Sequence, residues 1–248
     1  MKKLLLLFIF LCVVNLNAKT PKQIKQITFT EADCNITPGT LTWQDVNKKL
    51  NKIFNLSIEG YSQERTIINI PPFAATISGT ITTIEENAFA WCTSLKSVDM
   101  QEVTTIEFMA FYYCTSLASV NMPLVKTIGY ATFYDCSSLK SMNMPLVKTI
   151  ESRTFTFCTK LENINIPLVS KIETSAFIGC TSLASITILN PTPPTLEEGV
   201  FEEVDNYDAR VPNTCTLRVV DSNAVDRYKK DDSWSGQFLP RKILPVSP

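Results

Sequence analysis

Histidine is missing from this chain: none of the 248 residues is one. That absence excludes imidazole general-base catalysis, histidine metal ligation and an imidazole pH switch. Cysteine is present, but nowhere at the C-x-x-C spacing of a thiolate metal site. A catalytic thiol would also need a base, and no histidine exists to serve. An excess of one charge is lacking too, because 23 basic residues stand against 24 acidic ones. Such a balance carries no footprint for nucleic acid or an anionic membrane surface. Beyond the N-terminal residues no stretch is long and apolar enough for a transmembrane helix. What is abundant is apolar surface: hydrophobic residues make up 45% and charged ones 19%, the balance of a folded chain.

The N-terminus reads Met1-Lys2-Lys3, then an apolar run from Leu4 to Val14, then Asn15-Leu16-Asn17-Ala18. A basic start, a short apolar stretch and a small final residue predict a secretory signal peptide over 1–18. Cys12 raises a rival, lipidation, but Phe10 and Leu11 stand where a lipoprotein signal wants small residues. The expected product is exported, whether secreted, periplasmic or on the cell surface. Losing Lys2 and Lys3 takes the net charge from −1 to −3.

Five cysteines recur every 22 residues: Cys92, Cys114, Cys136, Cys158 and Cys180. Each has an isoleucine eight residues earlier (Ile84, Ile106, Ile128, Ile150, Ile172) and a phenylalanine three earlier (Phe89, Phe111, Phe133, Phe155, Phe177). Each has a leucine three later: Leu95, Leu117, Leu139, Leu161 and Leu183. A fixed period in the twenties predicts a solenoid, in which similar coils stack and bury what none buries alone.

One coil shows the code. In Leu117 to Met122, alternation points Val120 and Met122 inward and Ser119 and Asn121 outward, as a strand requires. Pro123 lacks an amide donor and should end that strand. Val125, Ile128 and Phe133 complete the inward set. The inward pairs elsewhere are Val98/Met100, Met142/Met144, Ile164/Ile166 and Ile186/Ile188. Strands of successive coils should pair in parallel. The five cysteines then stack in a column with side chains pointing in parallel, which predicts reduced core thiols rather than disulfides.

Both ends depart from the period, and a solenoid needs covers there. Thr42-Trp43-Gln44-Asp45 reads as a capping box that opens a helix burying Val46, Leu50 and Phe54. A strand is expected over 56–59 and a degenerate first coil around Ile77 and Ile81. After Asn190-Pro191-Thr192-Pro193-Pro194 breaks the period, Cys215 to Val219 reads as a last strand. A short helix from Asn223 to Lys230 carries Tyr228, and Trp234 follows. The expected organisation is a signal peptide at 1–18, an N-terminal cap of one helix plus strands at 19–75, a solenoid at 76–190 and a C-terminal cap at 191–248.

The coil pattern, the approach Pro38-Gly39-Thr40-Leu41 and the exit Thr192-Pro193-Pro194-Thr195-Leu196 together resemble the BspA-like leucine-rich repeat family of bacterial surface and secreted proteins. Cys215-Thr216-Leu217, Tyr228-Lys229-Lys230 and Trp234 extend the likeness. Val219-Val220-Asp221 departs from it, since the family usually has Val-Pro there and one residue fewer. The resemblance implies a right-handed leucine-rich repeat solenoid with a parallel sheet, short turns or 3-10 segments, no catalytic residues and no cofactor. It also implies adhesion or binding of proteins, some of them host matrix proteins.

Three surfaces are candidates for contact. The strand face carries Ser97, Ser119, Ser141, Asn163 and Ser185 beside Asp99, Asn121, Asn143, Asn165 and Thr187. Hydroxyls and amides in rows can bond extended backbone or glycan hydroxyls, or merely keep a sheet face solvated. The turn side carries Trp91, Tyr112, Tyr113, Tyr134, Phe157 and Ile178. Facing outward they form an apolar interaction stripe for a partner protein; tucked between coils they are core. Third, the acidic run Glu197, Glu198, Glu202, Glu203, Asp205 and Asp208 lacks EF-hand spacing and reads as a solvated loop, not a metal site. Nor does any acid pair form a constellation for glycoside hydrolysis. The expected function is therefore non-enzymatic recognition of a protein or glycan through the solenoid surface, with structural packing on a partner as the alternative.

Overall fold

The computed structural model describes residues 25–34, 39–54, 70–201, 214–238 and 242–246. The signal peptide, the strand expected over 56–59 and the acidic residues Glu202 to Asp208 lie outside the described residues.

The 22-residue coils contribute to three hydrogen-bonded ladders. The first is made of the longer strands, including Phe73–Ile77, Leu95–Met100 and Ser119–Asn121, paired in parallel. It continues through Ser141–Asn143, Asn163–Asn165 and Ser185–Ile188. As Pro123, Pro145 and Pro167 require, three of these strands stop two residues before a proline. The second ladder is made of two-residue strands such as Thr105–Ile106, Thr127–Ile128 and Lys171–Ile172. Strand pairing pauses in both ladders between the coil of Ser119–Asn121 and that of Ser141–Asn143.

The third ladder runs through the turns and crosses that pause. The amides of Ala131, Phe133 and Asp135 donate to the carbonyls of Ser152, Thr154 and Thr156 in the next coil, at 3.1, 3.0 and 2.8 Å. Intervening amides bond back within their own turn, as Tyr134 N–H does to Ala131 (3.2 Å). This alternation needs left-handed backbone at two positions per coil. One column of positive φ is Asn87, Met109, Ala131, Arg153, Ser175 and Gly199; the other is Trp91, Tyr113, Asp135, Phe157 and Gly179.

The phenylalanines form the spine of the core. Phe89, Phe111, Phe133, Phe155, Phe177 and Phe201 stack face to face with centroids 5.2 to 5.6 Å apart and planes within 7 to 13°. Centroids further apart than ring thickness mean offset stacking, the favoured geometry for quadrupolar rings. At either end a ring from the terminal region meets the stack edge-on, Phe29 at 5.5 Å and Phe238 at 6.0 Å.

The five ladder cysteines lie beside this spine as buried thiols, none of them in a disulfide. Each thiol reaches the coil before it: Cys114, Cys136, Cys158 and Cys180 donate to the carbonyls of Phe89, Phe111, Phe133 and Phe155 at 3.1 to 3.3 Å. Those carbonyls already accept an amide inside their own turn, so the thiol fills the second lone pair. A small apolar side chain with one weak donor fits that demand; an alanine or valine would not. Burial pushes the Cys136 and Cys158 thiols well above the ordinary cysteine range.

At the N-terminal end, Lys25–Phe29 pairs with Phe73–Ile77 and Thr40–Leu41 with Thr83–Ile84, so one further coil precedes the sequence-visible series. Helix α1 (Trp43–Phe54) begins as the capping box predicts. Thr42 N–H donates to the Asp45 carboxylate (3.1 Å) and Asp45 N–H donates to the Thr42 hydroxyl (3.2 Å). Val46 and Leu50 face the core.

At the other end helix α2 (Ser222–Lys230) is followed by a second helix the pattern did not announce, α3 (Asp232–Gln237). Thr216–Val219 is not the last strand, because Ile243–Pro245 pairs beyond it. The six-residue α3 is too short for periodicity to reveal, and the three-residue strand ends in a proline. Tyr228 donates to the Asn190 carbonyl (3.1 Å), Arg227 to that of Pro191 (2.6 Å) and the Trp234 indole to that of Pro194 (2.8 Å). The proline break thus leaves carbonyls for the C-terminal helices to occupy.

Two outcomes test this interior. Phe133→Ala should lower the unfolding free energy by ~3–5 kcal/mol in guanidinium, and Ser119→Ala by less than ~0.5 kcal/mol; equal losses would reverse the inside/outside assignment. Iodoacetamide at pH 8 should spare the five ladder thiols until denaturant is added, as peptide mapping will show; native labelling of Cys136 would contradict a closed ladder.

Candidate functional site

On the strand face, amide side chains bond a neighbouring carboxylate or amide. Asn121 Nδ2 donates to Asp99 Oδ1 (2.9 Å), as does Gln101 Nε2 (2.6 Å), and Asn165 Nδ2 donates to Asn143 Oδ1 (2.7 Å). Strand register places Asp99 opposite Asn121 and Asn143 opposite Asn165, as it does Ser97 with Ser119, Asn163 with Ser141 and Ser185, and Asn165 with Thr187. Ser119, Ser141 and Asn163 are exposed, and Ser97, Ser185 and Thr187 half-buried. Part of the hydrogen-bonding capacity of this face is therefore spent along the ladder.

On the turn side Trp91, Tyr112, Tyr113, Tyr134, Phe157 and Ile178 are all half-buried. They pack on each other as two interlocked columns. Trp91 stacks on Tyr113 at 4.2 Å, Tyr112 on Tyr134 at 4.9 Å, and Tyr134 meets Phe157 edge-on at 5.5 Å. Below them Phe157 lies over Gly179, where an added Cβ would stand 2.6 Å from its ring. Burial, reinforced by neighbouring tyrosines, raises the phenols of Tyr112 and Tyr134.

Sequence reasoning missed two further apolar features. Phe108, 42% exposed, stacks on Tyr130 at 5.4 Å and widens the aromatic surface. Gly129 makes that possible, for a Cβ there would lie 2.7 Å from the Phe108 amide nitrogen. A leucine column also follows the prolines: Leu124 is 40% and Leu168 47% exposed, with Leu146 half-buried between them. The signal for it was the same 22-residue recurrence, one position after each proline.

Glu85, Glu107, Glu151, Glu173 and Glu197 form an acidic column along the short strands. Lys171 bridges Glu173 (2.8 Å) and Glu197 (2.7 Å). Glu173 also accepts from the amide and hydroxyl of Ser152, and Glu197 from those of Thr174. These carboxylates therefore fasten the turn of the preceding coil. Among the described residues no group of three or more His, Cys, Asp or Glu could hold a metal ion, and no helix is long and apolar enough to cross a membrane. A cleft of about 460 Å³ beside α1 is lined by Lys48, Lys49, Lys52, Asp33 and Asp45, but Asp45 is engaged by the capping box and Asp33 by Lys49 at 2.6 Å.

A family model, the BspA type leucine rich repeat region, matches residues 57–184 in six copies, just over half of the chain. A search of curated proteins finds no match. Similar solved structures include a leucine rich cell surface protein from Faecalibacterium prausnitzii, with 28% identity, a TM-score of 0.48 and coverage of 59% of this chain and 38% of that one. A leucine-rich repeat protein from Bacteroides ovatus shares 26% identity at a TM-score of 0.44, covering 60% and 42%. One from Eubacterium ventriosum shares 24% at 0.45, covering 54% and 44%. The chain thus spans less than half the length of these solved chains.

The acidic column generates a pH test. Burial and the neighbouring Glu173 raise the Glu151 carboxyl above its ordinary value of 4.5. The folded state consequently holds the Glu151 proton more tightly, and ionising it at neutral pH opposes folding. Glu151→Gln should raise stability at pH 7 by under ~1 kcal/mol, and the gain should vanish below pH 4 where Glu151 is protonated in both states. Urea midpoints at both pH values measure it; a loss at pH 7 would contradict the repulsion.

Proposed function

The chain belongs to the BspA type leucine-rich repeat family, and from that premise we propose that it is an exported, non-enzymatic binding protein that docks a protein partner on the turn side of its coils. The observation that carries this is the identity of the residues in the left-handed column. Backbone of positive φ favours glycine, asparagine or aspartate, and Gly179 occupies it at no cost. Yet Trp91 stands there at φ 62°, Tyr113 at 57° and Phe157 at 61°. Bulky side chains at such positions carry strain of order 1 kcal/mol each, and none of the three is fully buried in return. Rigid, half-exposed tryptophan and tyrosine are also what dominates the energetics of protein interfaces.

Export rests on the signal-peptide pattern of residues 1–18, and a solenoid capped at 19–75 and 191–248 would leave the flank between them to a partner. Adhesion to host or bacterial surface proteins fits the same scaffold. The second reading, a protein or glycan bound on the strand face, is supported by its exposed hydroxyls at Ser119 and Ser141 but weakened because the Asn121 and Asn165 amides already bond Asp99 and Asn143.

One capture experiment separates the two. Partners retained by the wild-type chain from a matrix-protein and glycan array should lose at least ~30-fold in affinity with Trp91→Ser. They should bind undiminished to the doubly substituted Asn121→Arg, Asn143→Arg chain. The opposite pattern would move the site to the strand face and reject the turn side.

A further inference from the structure

The aromatic stripe holds one charged rung. Asp135 occupies the column in which Trp91, Tyr113 and Phe157 stand in other coils. The turn ladder fixes its neighbours. Tyr113 N–H donates to the Tyr134 carbonyl (2.8 Å), Asp135 N–H to Thr156 (2.8 Å) and Phe157 N–H to Ile178 (2.7 Å), three consecutive rungs. The Asp135 backbone therefore lies one rung from that of a tyrosine and one rung from that of a phenylalanine, at the ~4.8 Å repeat of paired backbone. Tyr134 precedes it in the chain and packs edge-on against that phenylalanine.

Asp135 is half-buried, and among the described residues no ion pair reaches it. Burial raises its carboxyl above the ordinary value, and the neighbouring Ser137 side chain partly offsets that. Asp135 in turn contributes to raising the phenols of Tyr112 and Tyr134, which places it within their field. A half-buried carboxylate on an aromatic flank, near the Tyr112 and Tyr134 phenols, lacks one complement, a cation. Its own coil geometry does not demand the charge, since glycine fills the equivalent rung at Gly179.

We propose that Asp135, with Tyr113, Tyr134 and Phe157 around it, is a receptor for an arginine side chain of the docked protein; this rests on the turn-side reading above and names the chemistry of its partner. Guanidinium is the better match than ammonium for three reasons. It is planar and stacks against aromatic rings, it offers two parallel N–H donors to one carboxylate, and it is less strongly hydrated on entering a half-buried site.

Acetylated, amidated tri-arginine, tri-lysine and tri-glutamate are the probes, titrated into the intact chain while amide and indole resonances are followed by NMR. Tri-arginine should shift Tyr134 to Ser137 and the Trp91 indole saturably, tri-lysine several-fold more weakly, and tri-glutamate not at all. Asp135→Asn keeps the shape and tolerates a φ of 51°, so it should fold unchanged while losing about tenfold or more of the tri-arginine affinity. Asp99→Asn on the strand face should leave the response intact. Silence in the wild type, an equal response in Asp135→Asn, or parity between arginine and lysine would overturn the receptor. If a captured partner is lost with Trp91→Ser but indifferent to Asp135→Asn, the receptor fails and the turn-side reading stands. If neither variant affects the partner, both fail.

Discussion

Everything in this molecule is referred to the stacking of like on like at one rung of separation. Six phenylalanine rings held 5.2 to 5.6 Å apart, with planes within 7 to 13°, define the axis. The ring separation exceeds the ~4.8 Å spacing of paired strands, so the offset of the rings takes up the difference. The backbone follows suit. Each turn must be compact enough to present the next phenylalanine directly above the last, and left-handed residues at two points per coil achieve this. The thiol column then serves the same end, because a carbonyl turned inward by so tight a turn needs a second donor.

A stack that grows by identical addition must also be stopped. The chain does so with the same chemistry at both ends, turning the terminal ring from face-on to edge-on. Phe29 and Phe238 meet Phe89 and Phe201 at nearly right angles, a favoured contact that does not continue the parallel phenylalanine stack. Around these rings the ends use polar anchors. The capping box of α1 satisfies amides at its start, and the side chains of Tyr228, Arg227 and Trp234 satisfy carbonyls released by the proline break. Proline is apt there for a reason beyond stiffness: without an amide it cannot extend the ladder, yet it leaves its carbonyl for a cap to use.

The coil was legible because one chain holds five copies of it, so that core positions can be read by internal comparison. Phe133, Cys136 and Leu139 were recognisable as interior from the recurrence alone, and so was the alternation of Val120 with Asn121. The ends were legible only where a local signal existed. Thr42 and Asp45 announced α1 by their spacing, but the coil containing Lys25–Phe29 was hidden, since its two strands lie 48 and 43 residues from their partners instead of 22. The candidate sites were half legible. Periodicity named the aromatic and polar rows, but not that the amides of Asn121 and Asn165 are spoken for, nor that Trp91 and Tyr113 sit on left-handed backbone. Those facts depend on the pitch of the stack, which is a property of neighbours.

The internal comparison also says where recognition can reside. A position that must fill the core keeps an apolar occupant in every coil, and the phenylalanine column keeps the same one throughout. The rung before each cysteine holds tryptophan, tyrosine, aspartate, phenylalanine and glycine in turn, on one and the same backbone. Nothing in the packing of the spine asks for that variety, and the backbone conformation opposes three of its five members. Local preference and global fold disagree at this column, and natural chains keep such disagreements chiefly where a function requires them. A repeated scaffold thereby presents a row of equally spaced sites that differ one from the next. An aromatic neighbour above and below a single carboxylate gives that row a polarity and a chemical identity which no individual coil possesses.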